Sequence, residues 1–139
     1  MEKSSVYESA QLILKLYELR RDPKMREARD WFITRFHPSA ADDVIDVLSD
    51  GESWRYRMVT GYWDMAASFV NYGAIDMQMF LDACPESIST FSKLEHILPE
   101  LRETLGAPNY LMHWEQVMRA LPDGSRIFQR FREQLSSIE

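Results

Sequence analysis

Five polar side chains stand out because helical winding would place them in one line. Arg57, Thr60, Asp64, Ser68 and Asn71 fall on a single narrow arc when residues 53–72 are wound at about 100° per residue. A guanidinium, a carboxylate, two hydroxyls and a carboxamide on one face could hold a polar ligand, Arg57 and Asp64 by charge, Ser68 and Asn71 by hydrogen bonds. The plainer reading is that a helix packed on its other sides needs one solvated face, or that Asp64 joins a buried network fixing its neighbours.

Other chemistry finds less support. His96 and Glu100 are spaced four apart, as two metal ligands on one helix face would be, but no third ligand accompanies them. His37 and His113 have no second histidine nearby, and His-Glu-x-x-His is missing. Cys84 stands before Pro85 at a helix end and reads as a small packing residue. Gly-x-Ser-x-Gly, the phosphate loop and the dinucleotide fingerprint are all absent, and Asp42 with Asp46 or Glu100 with Glu103 read as solvated pairs. The expectation is therefore no catalytic residue, no metal and no cofactor.

Arg20, Arg21, Lys24, Arg26, Arg29 and Arg35 form a basic cluster, but Asp22, Glu27 and Asp30 interleave with it. Mixed charge of this kind usually lines an exposed helix, and a net charge of −6 argues against a nucleic-acid partner. Basic side chains exceed acidic ones by two over residues 1–37, whereas acidic ones exceed basic ones by eight over residues 38–106. Such asymmetry suits pairing between segments or between copies.

The elements that must carry these groups are helices. Breakers divide the chain into eight pieces with apolar spacing of three or four and no sustained strand alternation. Ser5 with Glu8 opens the first, about 6–20, as a capping box, and Asp22-Pro23 opens the second. Ser39 with Asp42 opens a short third, and Gly73 ends a fourth over 53–72 whose apolar arc covers more than half its circumference. Asp76 caps a fifth. A sixth runs over 86–105 with a kink or two stacked pieces at Pro99, a seventh is lined from Tyr110 to Leu121, and an eighth starts at Ser125. The predicted fold is all-α, an irregular bundle of about seven to eight helices around the 53–72 helix, in one domain spanning 1–139.

The first helix is apolar on two strips. Val6, Ala10, Ile13, Leu14 and Tyr17 make one, and Leu12, Leu16 and Leu19 make the other. A terminal helix of this kind lies deep in its own core or covers a second subunit, so Leu12, Leu16 and Leu19 are the candidate partner surface of a homodimer. A single cysteine, no signal peptide and no long apolar run point to the cytoplasm, with no membrane partner.

Tyr62-Trp63-Asp64, followed by Gly73-Ala74-Ile75-Asp76, resembles the central signature of a bacterial family of small helical proteins catalogued only as a domain of unknown function. Pro108-Asn109-Tyr110 with Trp114-Glu115 is similar to its second landmark, and the likeness covers roughly residues 5–120. Asp64 replaces the longer glutamate of that pattern, and the membrane helix that opens many relatives is missing. The resemblance implies a helical fold and no assigned activity. A non-enzymatic interaction or regulatory module acting through a helical surface is the expected function, with ligand binding or catalysis around Arg57 and Asp64 as the alternative.

Overall fold

A computed structural model describes residues 3–138, and every regular element among them is helical. In chain order they are α1 (Val6–Arg20), α2 (Pro23–Thr34), α3 (Ala41–Leu48), α4 (Ser53–Asn71), α5 (Met77–Ala83), α6 (Glu86–Glu95), α7 (Leu98–Leu105), α8 (Met112–Met118) and α9 (Gly124–Leu135). No helix among the described residues is long and apolar enough to cross a membrane.

Local chemistry sets most of the starts. Ser5 accepts from the Glu8 amide while the Glu8 carboxylate accepts from the Ser5 amide, the reciprocal cap of α1. The Asp22 carboxylate accepts from Lys24 and Met25, with Pro23 in the first turn where its missing N–H costs nothing. At α3 the start moves by one residue from the Ser39–Asp42 pairing. Asp43 reaches back to the amides of Ser39 (2.8 Å) and Ala40 (3.2 Å), and these bonds hold its carboxyl below the usual carboxylate range.

The 86–105 segment is two helices, which raises the count to nine among the described residues. Pro99 belongs to the first turn of α7, and its ring would collide with the carbonyl four residues back, at Glu95, where α6 ends. The expected 110–121 helix is shorter than its apolar pattern. Leu111 takes a left-handed conformation (φ 56°) that disfavours branched side chains, so α8 begins only at Met112.

Helix α4 is the centre of the bundle, packed chiefly against α8 and α2 with α3 and α5 alongside. Tyr56, Val59, Trp63, Ala66, Ala67 and Val70 are buried, whereas Met58 and Met65, on the same apolar arc, remain more than a third exposed. Two alanines let neighbouring helices approach while Trp63 fills the space beside them. Phe32, Phe36 and Tyr56 form one aromatic cluster between α2 and α4; Phe91, Trp114 and Phe128 form another between α6, α8 and α9. Each fully buried ring contributes on the order of 1.5–3 kcal/mol before entropy.

Helix α1 is tied to this centre by one strong contact. The Tyr62 hydroxyl donates to the Leu16 carbonyl at 2.6 Å, and burial pushes that phenol up to about 12, so it stays a donor. Tyr62→Phe is expected to lose about 1 kcal/mol of stability by chemical denaturation, with unchanged helicity, because the Leu16 carbonyl loses its side-chain donor.

Candidate functional site

The polar line on α4 runs along the seam with α8, and the structure gives four of its five members a protein partner. Thr60 is buried and donates to the Tyr56 carbonyl one turn back. The Asp64 carboxylate accepts the Trp114 amide of α8 at 3.0 Å. Ser68 donates to the Met65 carbonyl, and the Asn71 carboxamide donates to the His113 carbonyl and to Gln116 Oε1, both at 3.2 Å. Arg57 is exposed and pairs with no carboxylate among the described residues. It stands with Thr60, Asp64 and Tyr110 on the wall of an open groove of about 490 Å³ between α4 and the turn before α8. Tyr110 donates to or accepts from Tyr56 across 2.8 Å, and burial pushes both phenols up, so this end of the groove carries neutral hydroxyls.

That turn is held from two sides. Arg102 donates through Nε to the Tyr110 carbonyl and through Nη1 to Glu115 Oε1, each at 2.8 Å. Asp64 secures the first turn of α8, which has no capping side chain of its own. A carboxylate from a neighbouring helix thus does what a residue such as Ser or Asp does at other helix starts.

The three residues of the second α1 strip separate. Leu16 is 3% exposed and lies inside the bundle, while Leu12 (37%) and Leu19 (45%) face outward. Of the first strip, Val6, Leu14 and Tyr17 are each more than half exposed, as is Tyr7 beside them, whereas Ile13 is buried; Ile13 and Leu16 are the only buried large apolar side chains of α1. Leu16 therefore anchors α1 to its own domain and is not available to a partner.

Lys93 is a residue that sequence reasoning missed. It is 3% exposed, and its ammonium donates to the Ile33 carbonyl (2.9 Å) and to His37 Nδ1 (3.0 Å). The Thr34 carbonyl, 3.1 Å from His37 Nε2, places the ring proton on that nitrogen and leaves Nδ1 free to accept. No carboxylate pairs with Lys93 among the described residues, and burial pulls its amine down to about 8. The one available signal was its neighbourhood: Ser87, Thr90 and Ser92 are small hydroxyl residues that allow close packing around α6 and are all buried.

Lys93 borders a pocket of about 280 Å³ with His37, Ser39, His96, Arg132 and Ser136. His96 lies between α6 and α7, so it does not share a helix with Glu100; it contacts the Pro38 carbonyl at 3.1 Å. Burial and the Arg132 guanidinium push its imidazole down. Among the described residues no group of three His, Cys, Asp or Glu side chains could hold a metal ion. Cys84 is fully buried and its thiol is pushed up by burial, which suits packing and not nucleophilic attack.

Lys93 makes stability depend on pH in a defined direction. Its folded value near 8 lies below the ordinary 10.5, so between them the unfolded chain binds more protons. The burial penalty is complete below about 8 and is relieved as the pH rises towards 10.5. Denaturation of the wild type and Lys93→Met at about pH 7 and about pH 10 is expected to show the difference moving in favour of the wild type at the higher pH. Comparing the two proteins cancels the titration of tyrosines and Cys84.

No curated protein and no solved structure matches the chain. Residues 5–121 match the family model described as Domain of unknown function (DUF4760). The two stretches that carried the resemblance are joined in space by the Asp64–Trp114 bond, and Asp76 of the Gly73–Asp76 turn caps α5 through the Met79 amide. The chain belongs to the DUF4760 family, a domain of unknown function.

Proposed function

We propose that the protein is a non-enzymatic interaction module of the bacterial cytoplasm that pairs with a second copy of itself through α1. The observation that carries this reading is the bare strip of α1, with Val6 at 70%, Tyr7 at 72%, Leu14 at 63% and Tyr17 at 54% exposure. Isolated exposed leucines are ordinary, but a continuous apolar line on one helix marks a surface that gains by being covered.

The pattern of the strip suits an identical partner. In a two-fold contact residue i meets j while j meets i. An antiparallel crossing at the height of Leu12 sets small Ala10 opposite Leu14 and Tyr7 opposite Tyr17, so each large group meets a recess or an aromatic face. A net charge of −6 weighs against nucleic acid as the partner.

Light scattering is expected to give twice the mass of one chain for the wild type. Leu14→Glu is expected to give the mass of one chain with unchanged helicity, since Leu14 contributes little to its own core. A wild-type protein that stays at the mass of one chain at high concentration would refute the reading.

A second reading is favoured by one observation: Arg57 stands unpaired on the groove shared with Thr60, Asp64 and Tyr110. A small acid bound there would add mass to the natively purified protein in native mass spectrometry. Arg57→Ala would remove that added mass without loss of fold, and its absence from the wild type would discard this reading.

A further inference from the structure

We propose that the groove between the end of α1, the start of α2 and the α5–α6 junction binds a phosphate-bearing small molecule through Arg20, Arg21 and Arg26. Arg20 is only 9% exposed. Its guanidinium lies 5.3 Å from the centroid of the Trp63 ring and 5.7 Å from that of Tyr17. The two rings attract the cation but supply no counter-charge, and no carboxylate pairs with it among the described residues. A buried guanidinium without an anion is costly, so its retention points to an anion supplied from outside.

The surroundings raise the positive charge further. Arg20, Arg21, Arg26 and Arg29 all line this groove of about 530 Å³, against a single carboxylate, Glu86. Glu86 is already matched: Arg29 grips it through two bonds of 2.6 and 2.8 Å while also donating to the Arg20 carbonyl at 3.0 Å. Arg21 and Arg26 are exposed and form no ion pair among the described residues. Three guanidiniums are left uncompensated in one concavity of a protein whose net charge is −6. Cys84 does not supply the missing charge, because its buried thiol stays protonated. The carbonyl end of α1 offers only a partial negative charge, which accounts for a cation there but not for several.

The number and planarity of the donors select the ligand class. A phosphomonoester carries nearly two charges on three terminal oxygens, and each planar guanidinium can meet a pair of them. A carboxylate has two coplanar oxygens and one charge, too few for the set. Asp30, which forms no ion pair among the described residues, lines the adjoining groove on α2, so an extended polyanion would meet a like charge that a small molecule does not. Tyr17, half exposed at the rim, offers a flat wall to the organic part of the ester.

Phenyl phosphate and inorganic phosphate serve as probes, with benzoate as the carboxylate control and chloride at matched ionic strength. Calorimetry and tryptophan fluorescence are expected to show saturable binding of both phosphates, stronger for phenyl phosphate. Arg21→Glu and Arg26→Glu, which leave the core untouched, are expected to weaken binding about tenfold or more, as loss of a charge-assisted contact does. Arg20→Gln should abolish binding; should it fail to fold, the two surface variants decide alone. Absence of saturable phosphate binding, benzoate binding as tightly, or phosphate binding unchanged in both glutamate variants would each overturn the proposal. Leu14→Glu should bind inorganic phosphate, which has no organic part to rest on Tyr17, as the wild type does, and this separates the site from the pairing of copies through α1.

Discussion

The arrangement of the C-terminal half depends on one hydrogen bond between chain segments that are far apart in sequence. Helix α8 has seven residues, follows a left-handed Leu111 and has no cap of its own, so its first turn would present unsatisfied amides to a partly buried seam. Asp64 of α4 accepts one of them at Trp114. This fixes the height of α8 on α4 and with it the Trp114 ring, which packs against Phe91 of α6, itself in contact with Phe128 of α9. A carboxylate suits the task better than an apolar residue would, because the seam is only half buried and an amide left bare there costs about 1–3 kcal/mol. A short acid also fits the close approach of α4 and α8.

A second clasp secures the other end of α4. Gly73 has φ 84°, open to glycine and strained for other residues, and it turns the chain so that its carbonyl accepts the Ser4 amide. Ser4 also donates to the Ala74 carbonyl, and the Asp76 amide donates to Ser9 Oγ. The start of α1 is thereby held by main-chain bonds and hydroxyls, and its middle by Ile13, Leu16 and the Tyr62 hydroxyl. An edge suffices to attach it. Val6, Tyr7 and Leu14 are left more than half exposed on the remaining apolar face of α1, which is the physical basis for assigning that face to a partner.

What could be read from sequence divides by distance along the chain. The caps at Ser5, Asp22 and Asp76 and the stop at Gly73 involve residues two to five apart, so spacing alone reveals them. The wheel for α4 likewise identified the buried Trp63 and the line containing Asp64. It could not show that Asp64 meets Trp114, because periodicity reports which side is inside and not which helix lies there. Lys93 and Arg20 escaped for the same reason. A cation in a helix reads as solvated unless the rings and carbonyls that cover it, at Trp63 for Arg20 and at Ile33 for Lys93, are known to be close. The polar line of α4 thus had the right members, but four of the five serve contacts within the chain, and only Arg57 remains free to meet something else among the described residues.

Site-resolved hydrogen exchange at the Trp114 amide tests the central claim most directly. In the wild type that amide is expected to be strongly protected, to keep most of its protection in Asp64→Asn, whose side-chain oxygen can still accept, and to lose it in Asp64→Ala while the amides of α2 stay protected. Equal protection of Trp114 in the wild type and Asp64→Ala would contradict the account.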